Sequence, residues 1–169
     1  MAITRLNHAV LYVSDVERSA TFYRDVLGFR TVMAMRGAAF LQAPGSTNDH
    51  DLGLFEIGAQ AGPSGAGKTT VGLYHLAWEV DTLAELERLA DVLSTAGALV
   101  GASDHGTTKS LYAHDPDGLE FEVAWVVPAD RIDDSAVDAR SRIGRLDLQQ
   151  EKARYGEDTL GGIGISTRV

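Results

Sequence analysis

The same order of apolar segments occurs twice along the chain, and this repeat constrains the fold more than any other feature of the sequence. In each copy a short aliphatic run is followed by a segment with helical spacing and then by three further strand-like runs. The copies, residues 5–58 and 72–127, are offset by about 67 residues. One copy cannot cover both faces of its own sheet, so two copies are expected to pack together. The sequence therefore predicts an α+β fold of two βαβββ repeats, and an ordinary α+β domain with accidental periodicity is the alternative.

The first copy contains one predicted helix between its first and second strands. Apolar residues recur at helical spacing from Phe22 to Leu27, Asp15 can cap the N-terminus, and Gly28 can end the helix. Runs of aliphatic and aromatic residues predict strands at 6–13, 30–35, 38–43 and 51–57.

The second copy repeats this order. Its predicted helix, 82–97, carries its leucines on one side and has Gly97 as its stop. The segment Asp115-Pro116-Asp117-Gly118 predicts a turn between the last two strands. The strands are predicted at 72–80, 98–103, 109–114 and 119–127.

A glycine-rich segment, 59–71, separates the two copies. Residues 62–69 (GPSGAGKT) match the phosphate-binding loop pattern completely. That motif requires a helix directly after it, because the N-terminal amides of the helix must face the phosphates. The residues that follow here predict a strand instead. We interpret the segment as a flexible loop, and nucleotide binding is the less favoured alternative.

The segment 128–169 follows the second copy and contains few apolar residues. A polar helix is predicted around 135–155. Because this segment could not build a core of its own, we predict one domain over 1–127 and a tail that lies on the surface or on a neighbouring subunit of a homo-oligomer.

Composition argues against several kinds of function. The chain has no cysteine, so any metal ligands must be His and carboxylate side chains. The net charge is −9 and no basic stripe occurs, which argues against nucleic-acid binding. No apolar run approaches the roughly 18–20 residues that cross a bilayer, and the N-terminus lacks a signal-peptide pattern. We expect a cytoplasmic protein without a membrane partner.

Two of the five histidines occupy matching positions in the two copies. His8 lies in the first predicted strand of copy one, and His75 lies at the equivalent place in copy two. In the last predicted strand Glu120 and Glu122 share one face. A carboxylate in such an apolar strand is costly to bury unless a cation faces it. A metal held by His8, His75 and Glu122 would supply that cation, and two imidazoles with one carboxylate are typical of Fe(II) sites with open positions. A single strand histidine is more often a hydrogen-bonded core residue, which is the alternative for each.

These segments resemble the vicinal oxygen chelate superfamily, which includes glyoxalases, fosfomycin- and bleomycin-resistance proteins and extradiol ring-cleaving dioxygenases. The resemblance lies in LNHAVLYVSD at 6–15, YHLAWEVD at 74–81 and DPDGLEFEV at 115–123, and it covers about residues 5–125. It implies two βαβββ repeats paired into a U-shaped mixed sheet around a metal, with His8, His75 and Glu122 as the ligands.

Within this superfamily, three further residues are similar to those of the type I extradiol dioxygenases. His50 matches their acid–base histidine, while His105 and Tyr112 match their second active-site His and their active-site Tyr. The resemblance implies an oxidoreductase that uses Fe(II), or alternatively Mn, Ni or Zn, to cleave a catecholic substrate with O₂. His50 would accept and return protons, Tyr112 would hydrogen-bond the substrate, and His105 would help to orient it.

Two other functions remain open. A glyoxalase-like metal lyase or isomerase would add Glu56 as a fourth ligand, and Glu56 is expected on the strand face of His50. A non-catalytic drug-binding resistance protein would need no metal. His50 could also be a solvated loop residue, and His114, just before the turn, is interpreted as a surface residue without a role.

Overall fold

A computed structural model describes residues 2–3, 5–66 and 69–162, and the chain divides into two compact units. The first unit consists of the residues up to Thr70 together with Asp115–Leu119. The second consists of Val71–His114 and the residues from Glu120 onward. Each unit contains one mixed sheet and repeats the order βαβββ, which confirms the α+β fold and its internal repeat.

The first unit contains a four-stranded sheet of order β1-β4-β3-β2. β1 runs parallel to β4, and the other pairs are antiparallel. Leu11 and Val13 of β1 are buried, whereas Val10 and Tyr12 are exposed, so the helix packs on one face only. The elements are β1 (Ala9–Val13), α1 (Val16–Leu27), β2 (Arg30–Met35), β3 (Ala38–Gln42) and β4 (Leu52–Glu56).

The ends of α1 are those that the sequence predicts. The Asp15 carboxylate accepts a hydrogen bond from the Arg18 amide at 2.9 Å. Gly28 ends the helix in the left-handed conformation, with φ +75°, which a glycine adopts without steric cost. Gly28 also donates its amide hydrogen to the Arg24 carbonyl.

The second unit contains a five-stranded sheet of order β5-β8-β7-β6-β9, in which β9 is Gly144–Arg145. β5 runs parallel to β8, as β1 does to β4 in the first unit. The helix begins after Thr82, whose hydroxyl accepts from the Glu85 amide at 3.1 Å, and its leucines are buried. The elements that repeat the first unit are β5 (Leu76–Glu79), α2 (Leu83–Thr95), β6 (Leu99–Asp104), β7 (Thr108–His114) and β8 (Glu120–Val126).

The tail folds onto the second unit as several short elements. The prediction of one helix over 135–155 is wrong, because a two-residue strand and a second N-cap, Asp147, interrupt it. Glu151 and Tyr155 of the last helix are buried. A role of this segment in self-association stays a prediction. The elements are a 3₁₀ turn (Ala129–Arg131), α3 (Asp134–Ala139), β9 (Gly144–Arg145) and α4 (Leu148–Tyr155).

The glycine-rich loop leads into β5 and not into a helix. Residues 67 and 68 of the predicted phosphate-binding pattern lie outside the described residues, while 61–66 have no regular structure. The next element after the loop is β5, so the helix that phosphate binding requires does not follow. Among the described residues of the whole chain, no helix is both long and apolar enough to cross a membrane.

Candidate functional site

The two histidines of the predicted metal site hold equivalent positions in their units. His8 comes immediately before β1, and His75 comes immediately before β5. In each unit this strand pairs in parallel with the last strand of the repeat. The equivalence that the sequence pattern indicates is therefore present in the backbone.

In the second unit His75 and Glu122 lie against each other. Nε2 of His75 is 3.1 Å from Oε2 of Glu122, and the Glu122 side chain is only 12% exposed. The parallel register of β5 and β8 places Ala77 opposite Glu122, which brings the carboxylate beside the start of β5. Ser110, buried on β7, donates its hydroxyl hydrogen to the other oxygen of Glu122 at 2.5 Å. The Glu122 carboxylate is therefore largely buried between Ser110 and the imidazole of His75.

A second carboxylate faces the opposite side of the His75 ring. Oε1 of Glu120 is 3.7 Å from Nδ1 of His75. Both atoms are buried and have no hydrogen-bond partner among the described residues. The imidazole therefore lies between two carboxylates, Glu122 at Nε2 and Glu120 at Nδ1. The alternation of β8 puts the two glutamates on one face, but the sequence alone does not indicate that Glu120 faces His75.

His105 and Tyr112 belong to the same cluster. Nε2 of His105 and the Tyr112 hydroxyl share a hydrogen bond of 2.8 Å. The ring of Tyr112 lies 5.7 Å from that of His75, between ring centres. Tyr112 also pairs with Glu122 in the register of β7 and β8. Four of the six residues predicted for the site are therefore gathered within the second unit.

The surroundings of Tyr112 keep its phenol protonated. Burial raises the pKa of the hydroxyl, the nearby charge of Glu122 raises it further, and a hydrogen bond with Ser110 opposes these effects. At neutral pH Tyr112 is a neutral group that can donate a hydrogen bond.

The first unit brings His8 and His50 together. Their ring centres are 4.6 Å apart, and Phe40 packs against His50 at 5.1 Å. Nδ1 of His8 contacts the side-chain oxygen of Asn7 at 2.8 Å, and Nδ1 of His50 contacts Asp49 at 2.9 Å. A predicted ligand and a predicted acid–base residue are thus neighbours.

The loop that carries His50 is fixed by Asp51. This carboxylate accepts hydrogen bonds from the Ala43 amide, the Ser46 hydroxyl and the Asn48 side chain, at 2.7 to 2.8 Å. Burial alone would raise the pKa of Asp51, but these hydrogen bonds together lower it below its usual value. An ionised Asp51 therefore holds the chain that presents His50.

The expectation that Glu56 shares a face with His50 is wrong. Oε2 of Glu56 accepts a hydrogen bond from the Val16 amide, 3.0 Å away at the start of α1. His50 instead packs on Phe40, which also contacts Phe55 on the other face of β4. The strict alternation of a strand does not extend to His50, because it precedes β4 in the loop held by Asp51.

Neither unit forms a complete three-ligand site by itself. Within each unit, the described residues contain no group of three or more His, Asp and Glu side chains that could hold a metal ion. His75 and Glu122 belong to the second unit and His8 to the first, so the full ligand set stays a prediction. The side chain of His114 is 46% exposed, in keeping with its assignment as a surface residue.

The fold is a duplicated βαβββ unit with a histidine directly before the first strand of each copy. The family model described as the Glyoxalase/Bleomycin resistance protein/Dioxygenase superfamily matches residues 5–123, and the chain belongs to this superfamily. The family that the sequence resembles is therefore confirmed.

The chain is similar to curated dioxygenases. It is 34% identical over 130 residues to biphenyl-2,3-diol 1,2-dioxygenase 3 of Rhodococcus globerulus, covering 73% of this chain and 64% of that protein. It is 31% identical over 120 residues to catechol-2,3-dioxygenase of Bacillus subtilis strain 168, covering 71% and 41%. The chain thus spans less than two thirds of the length of either relative.

One solved structure illustrates the shared fold. The glyoxylase/bleomycin resistance protein/dioxygenase domain from Frankia sp. EAN1pec aligns with a TM-score of 0.64 and 24% identity. The alignment covers 74% of this chain and 93% of that one. At this identity the likeness shows the fold alone.

Proposed function

We propose that the chain is an Fe(II)-dependent extradiol dioxygenase that cleaves a catechol-type ring with O₂. The observation that carries the proposal is the cluster in the second unit, where His75 contacts Glu122 and Tyr112 hydrogen-bonds His105. It combines metal-binding side chains with groups that can handle a substrate proton. The similarity to a catechol and a biphenyl-diol dioxygenase supports the same substrate class.

The donors present fit a divalent metal. Nε2 of His75 and the inward carboxylate of Glu122 are 3.1 Å apart, and a buried imidazole nitrogen without a hydrogen bond faces Glu120 on the far side. We propose that His8, His75 and Glu122 hold Fe(II), with Mn, Ni or Zn as alternatives. The bound metal would supply the activation of O₂ and a chelating centre for two adjacent substrate oxygens.

His50 is proposed as the group that accepts a substrate hydroxyl proton. Asp49 lies 2.9 Å from Nδ1 and favours the tautomer that carries its proton there. Nε2 is then left with a free lone pair, which is the requirement for a general base. The ring of Phe40, packed edge to face against the imidazole, limits the orientations open to His50.

Tyr112 and His105 are proposed to bind the substrate oxygen. The raised pKa of Tyr112 keeps the phenol neutral. When His105 donates its Nε2 hydrogen to the Tyr112 oxygen, the phenol hydrogen is left to donate to the substrate. His105 thereby fixes the direction in which Tyr112 donates.

Anaerobic reconstitution tests the proposal. The purified chain is loaded with Fe(II), mixed with a panel of catechols without oxygen, and then exposed to air while O₂ uptake and absorbance are followed. We expect O₂ consumption and a yellow ring-opened product from at least one catechol. Absence of product over the whole panel, with iron shown to be bound, would contradict the proposal.

The two competing functions predict different metal behaviour. A lyase or isomerase with Glu56 as a fourth ligand would require that carboxylate to leave the Val16 amide that it now binds. A non-catalytic binding protein would show no metal by elemental analysis after reconstitution. Metal analysis of the wild-type chain and of a Glu56 variant therefore separates all three.

A further inference from the structure

The hairpin loop between β6 and β7 carries His105, and three elements of the tail, α3, β9 and α4, contact this hairpin. The loop is short: the His105 amide donates to the Thr108 carbonyl at 2.9 Å. Gly106, at its tip, has φ +77°, a left-handed conformation that other residues rarely adopt. The position of His105 therefore depends on how firmly this hairpin is held.

β9 of the tail extends the sheet at the base of this hairpin. Its two residues pair antiparallel with β6, Arg145 opposite Ser103 and Gly144 opposite Asp104. Asp104 is the residue directly before His105. The tail thus fixes the backbone next to the histidine through a strand ladder.

α3 of the tail packs directly on the tip of the hairpin. A Cβ atom at Gly106 would lie 2.3 Å from the Ala136 carbonyl oxygen and 2.9 Å from the Arg140 amide nitrogen. Such a close approach of two backbones is open only to glycine. The contact with α3 therefore restricts the movement of the hairpin tip.

A buried lysine joins the hairpin to α4. The side chain of Lys109, on β7, is 0% exposed, and its Nζ lies 2.5 Å from Asp104 and 2.9 Å from Glu151 of α4. The same oxygen of Asp104 accepts from the Gly106 amide at 2.8 Å. A buried ammonium group needs its counter-charges, and removing one partner leaves the charge uncompensated. Glu151 is thus linked through Lys109 to Asp104, which in turn binds the amide of Gly106. Asp104 and Gly106 are the residues directly before and after His105.

We propose that α3, β9 and α4 position His105, and that Glu151 is the positioning residue of this segment. The catalytic consequence rests on the proposed function, in which His105 directs the Tyr112 hydroxyl. The structural part does not depend on that function. Glu151 does not touch the site and acts only through the hairpin.

The chain offers a matched pair of variants. Glu151→Gln keeps the shape of the side chain but removes its charge from Lys109. Glu87→Gln weakens another attachment of α4, since Glu87 of α2 binds Lys152 and Gln149, each at 2.6 Å. We expect both variants to loosen α4 and only the first to act on the hairpin.

The first measurement is independent of catalysis. The imidazole ¹⁵N chemical shifts of His105, assigned with the help of His105→Asn, report its hydrogen bond with Tyr112. We expect a changed Nε2 shift in Glu151→Gln and the wild-type value in Glu87→Gln. An unchanged shift in Glu151→Gln, or the same change in both variants, would overturn the proposal. Should Glu151→Gln not fold, Glu151→Asp, which keeps the charge but draws the carboxylate back from Lys109 and leaves the Lys109–Asp104 contact in place, is read in the same way.

The second measurement uses turnover. We expect Glu151→Gln to lower kcat by roughly 10- to 100-fold, because small displacements of a positioned group have effects of this size. Metal content should remain near that of the wild type. In the His105→Asn background Glu151→Gln should have no further effect on kcat. An additive loss of kcat would show that Glu151 does not act through His105. If the wild type itself has no activity, the proposed function is refuted, and the ¹⁵N shifts alone decide whether Glu151 positions His105.

Discussion

Nε2 of His75 lies 3.1 Å from a carboxylate oxygen of Glu122, and Ser110 binds the other oxygen of that carboxylate. His75 lies directly before β5, and Glu122 lies within β8, which runs parallel to β5. Ser110 uses one oxygen of Glu122 and leaves the other directed at the imidazole. His75 and Glu122 are two of the three proposed metal ligands, and their contact yields the first prediction.

We expect Glu122→Gln and His75→Ala to lose metal binding. Replacing a residue that only supports a ligand costs roughly 10- to 100-fold in affinity, so loss of a ligand should cost more. Fe(II) content after anaerobic dialysis is the measurement. His105→Asn is the control, because His105 lies in the same cluster but is not a predicted ligand, and it should retain the metal. Equal metal content in all three variants would contradict the ligand assignment.

Glu120 gives a second prediction, since its Oε1 faces Nδ1 of His75. A carboxylate behind a ligating imidazole fixes the ring orientation and strengthens it as a donor. We expect Glu120→Gln to weaken metal affinity by roughly 10- to 100-fold while the fold is retained. His114→Ala is the control, because His114 lies 3.7 Å from the other oxygen of Glu120. The affinities are compared by competition with a chelator, and a Glu120→Gln affinity equal to the control would refute this role.

A third prediction separates the dioxygenase from a lyase with four ligands. Glu56 accepts from the Val16 amide, so we expect Glu56→Gln to bind as much metal as the wild type. The amide oxygen of Gln can still accept this hydrogen bond, and the cost in stability should stay below the roughly 1 kcal/mol typical of a lost cap. Elemental analysis and thermal unfolding test both parts. Loss of metal in Glu56→Gln would favour the lyase.

The fourth prediction concerns His50. We expect His50→Phe to keep its metal and to lose turnover by roughly 100- to 10,000-fold, the usual contribution of a general acid–base group. The phenyl ring can occupy the place of the imidazole against Phe40, so the loop should remain folded. Product formation and metal content are measured on the same sample. Wild-type turnover in this variant would show that His50 is only a loop residue.

Features set by local sequence could be predicted. Asp15 and Gly28 define the ends of α1 through contacts within a few residues, and the histidines before β1 and β5 follow from the repeat. In each case the prediction depends only on the number of residues between two positions, which can be counted in a single sequence.

Features set by contacts between distant polar residues could not be predicted. Lys109 and Glu151 are charged residues that lie far apart in the sequence, yet their ion pair is buried and attaches the tail to the hairpin. Glu120 faces His75 and Glu56 faces α1 for the same kind of reason. The direction of such a carboxylate depends on which residue of another element it contacts. The alternation of apolar and polar residues within one strand does not identify that residue.

The last prediction concerns Asp117, which ties the turn 115–119 to α1. One carboxylate oxygen accepts from the Ser14 amide at 2.9 Å, and the other accepts from the Ser14 hydroxyl at 2.6 Å and contacts Arg18 at 2.5 Å. Burial by itself would raise the pKa of Asp117, but these hydrogen bonds and the Arg18 charge lower it below 3.8. The ionised form is therefore the one that stabilises the folded chain.

The sign of the pH dependence follows from this lowered pKa. A depressed folded-state pKa contributes stability above the unfolded value of 3.8, and this contribution is lost as the pH falls through the folded-state value. We expect Asp117→Asn to lower the free energy of unfolding by roughly 1.5–3 kcal/mol at pH 7, as for hydrogen bonds to a charged group. The difference from the wild type should begin to shrink below about pH 4, where the unfolded chain takes up the proton, and should be lost once the pH falls below the lowered folded-state pKa.

Asp115 in the same turn provides the opposite case. Burial raises its pKa, so this group favours folding most when protonated, and its contribution falls as the pH rises from 3.8 through the folded-state value. Denaturant unfolding of both Asn variants between pH 3 and pH 7 measures the two slopes relative to the wild type. Opposite slopes are required if Asp117 acts as an ionised clamp and Asp115 as a desolvated acid. Parallel slopes would show that the charge of Asp117 adds nothing beyond the shape of its side chain.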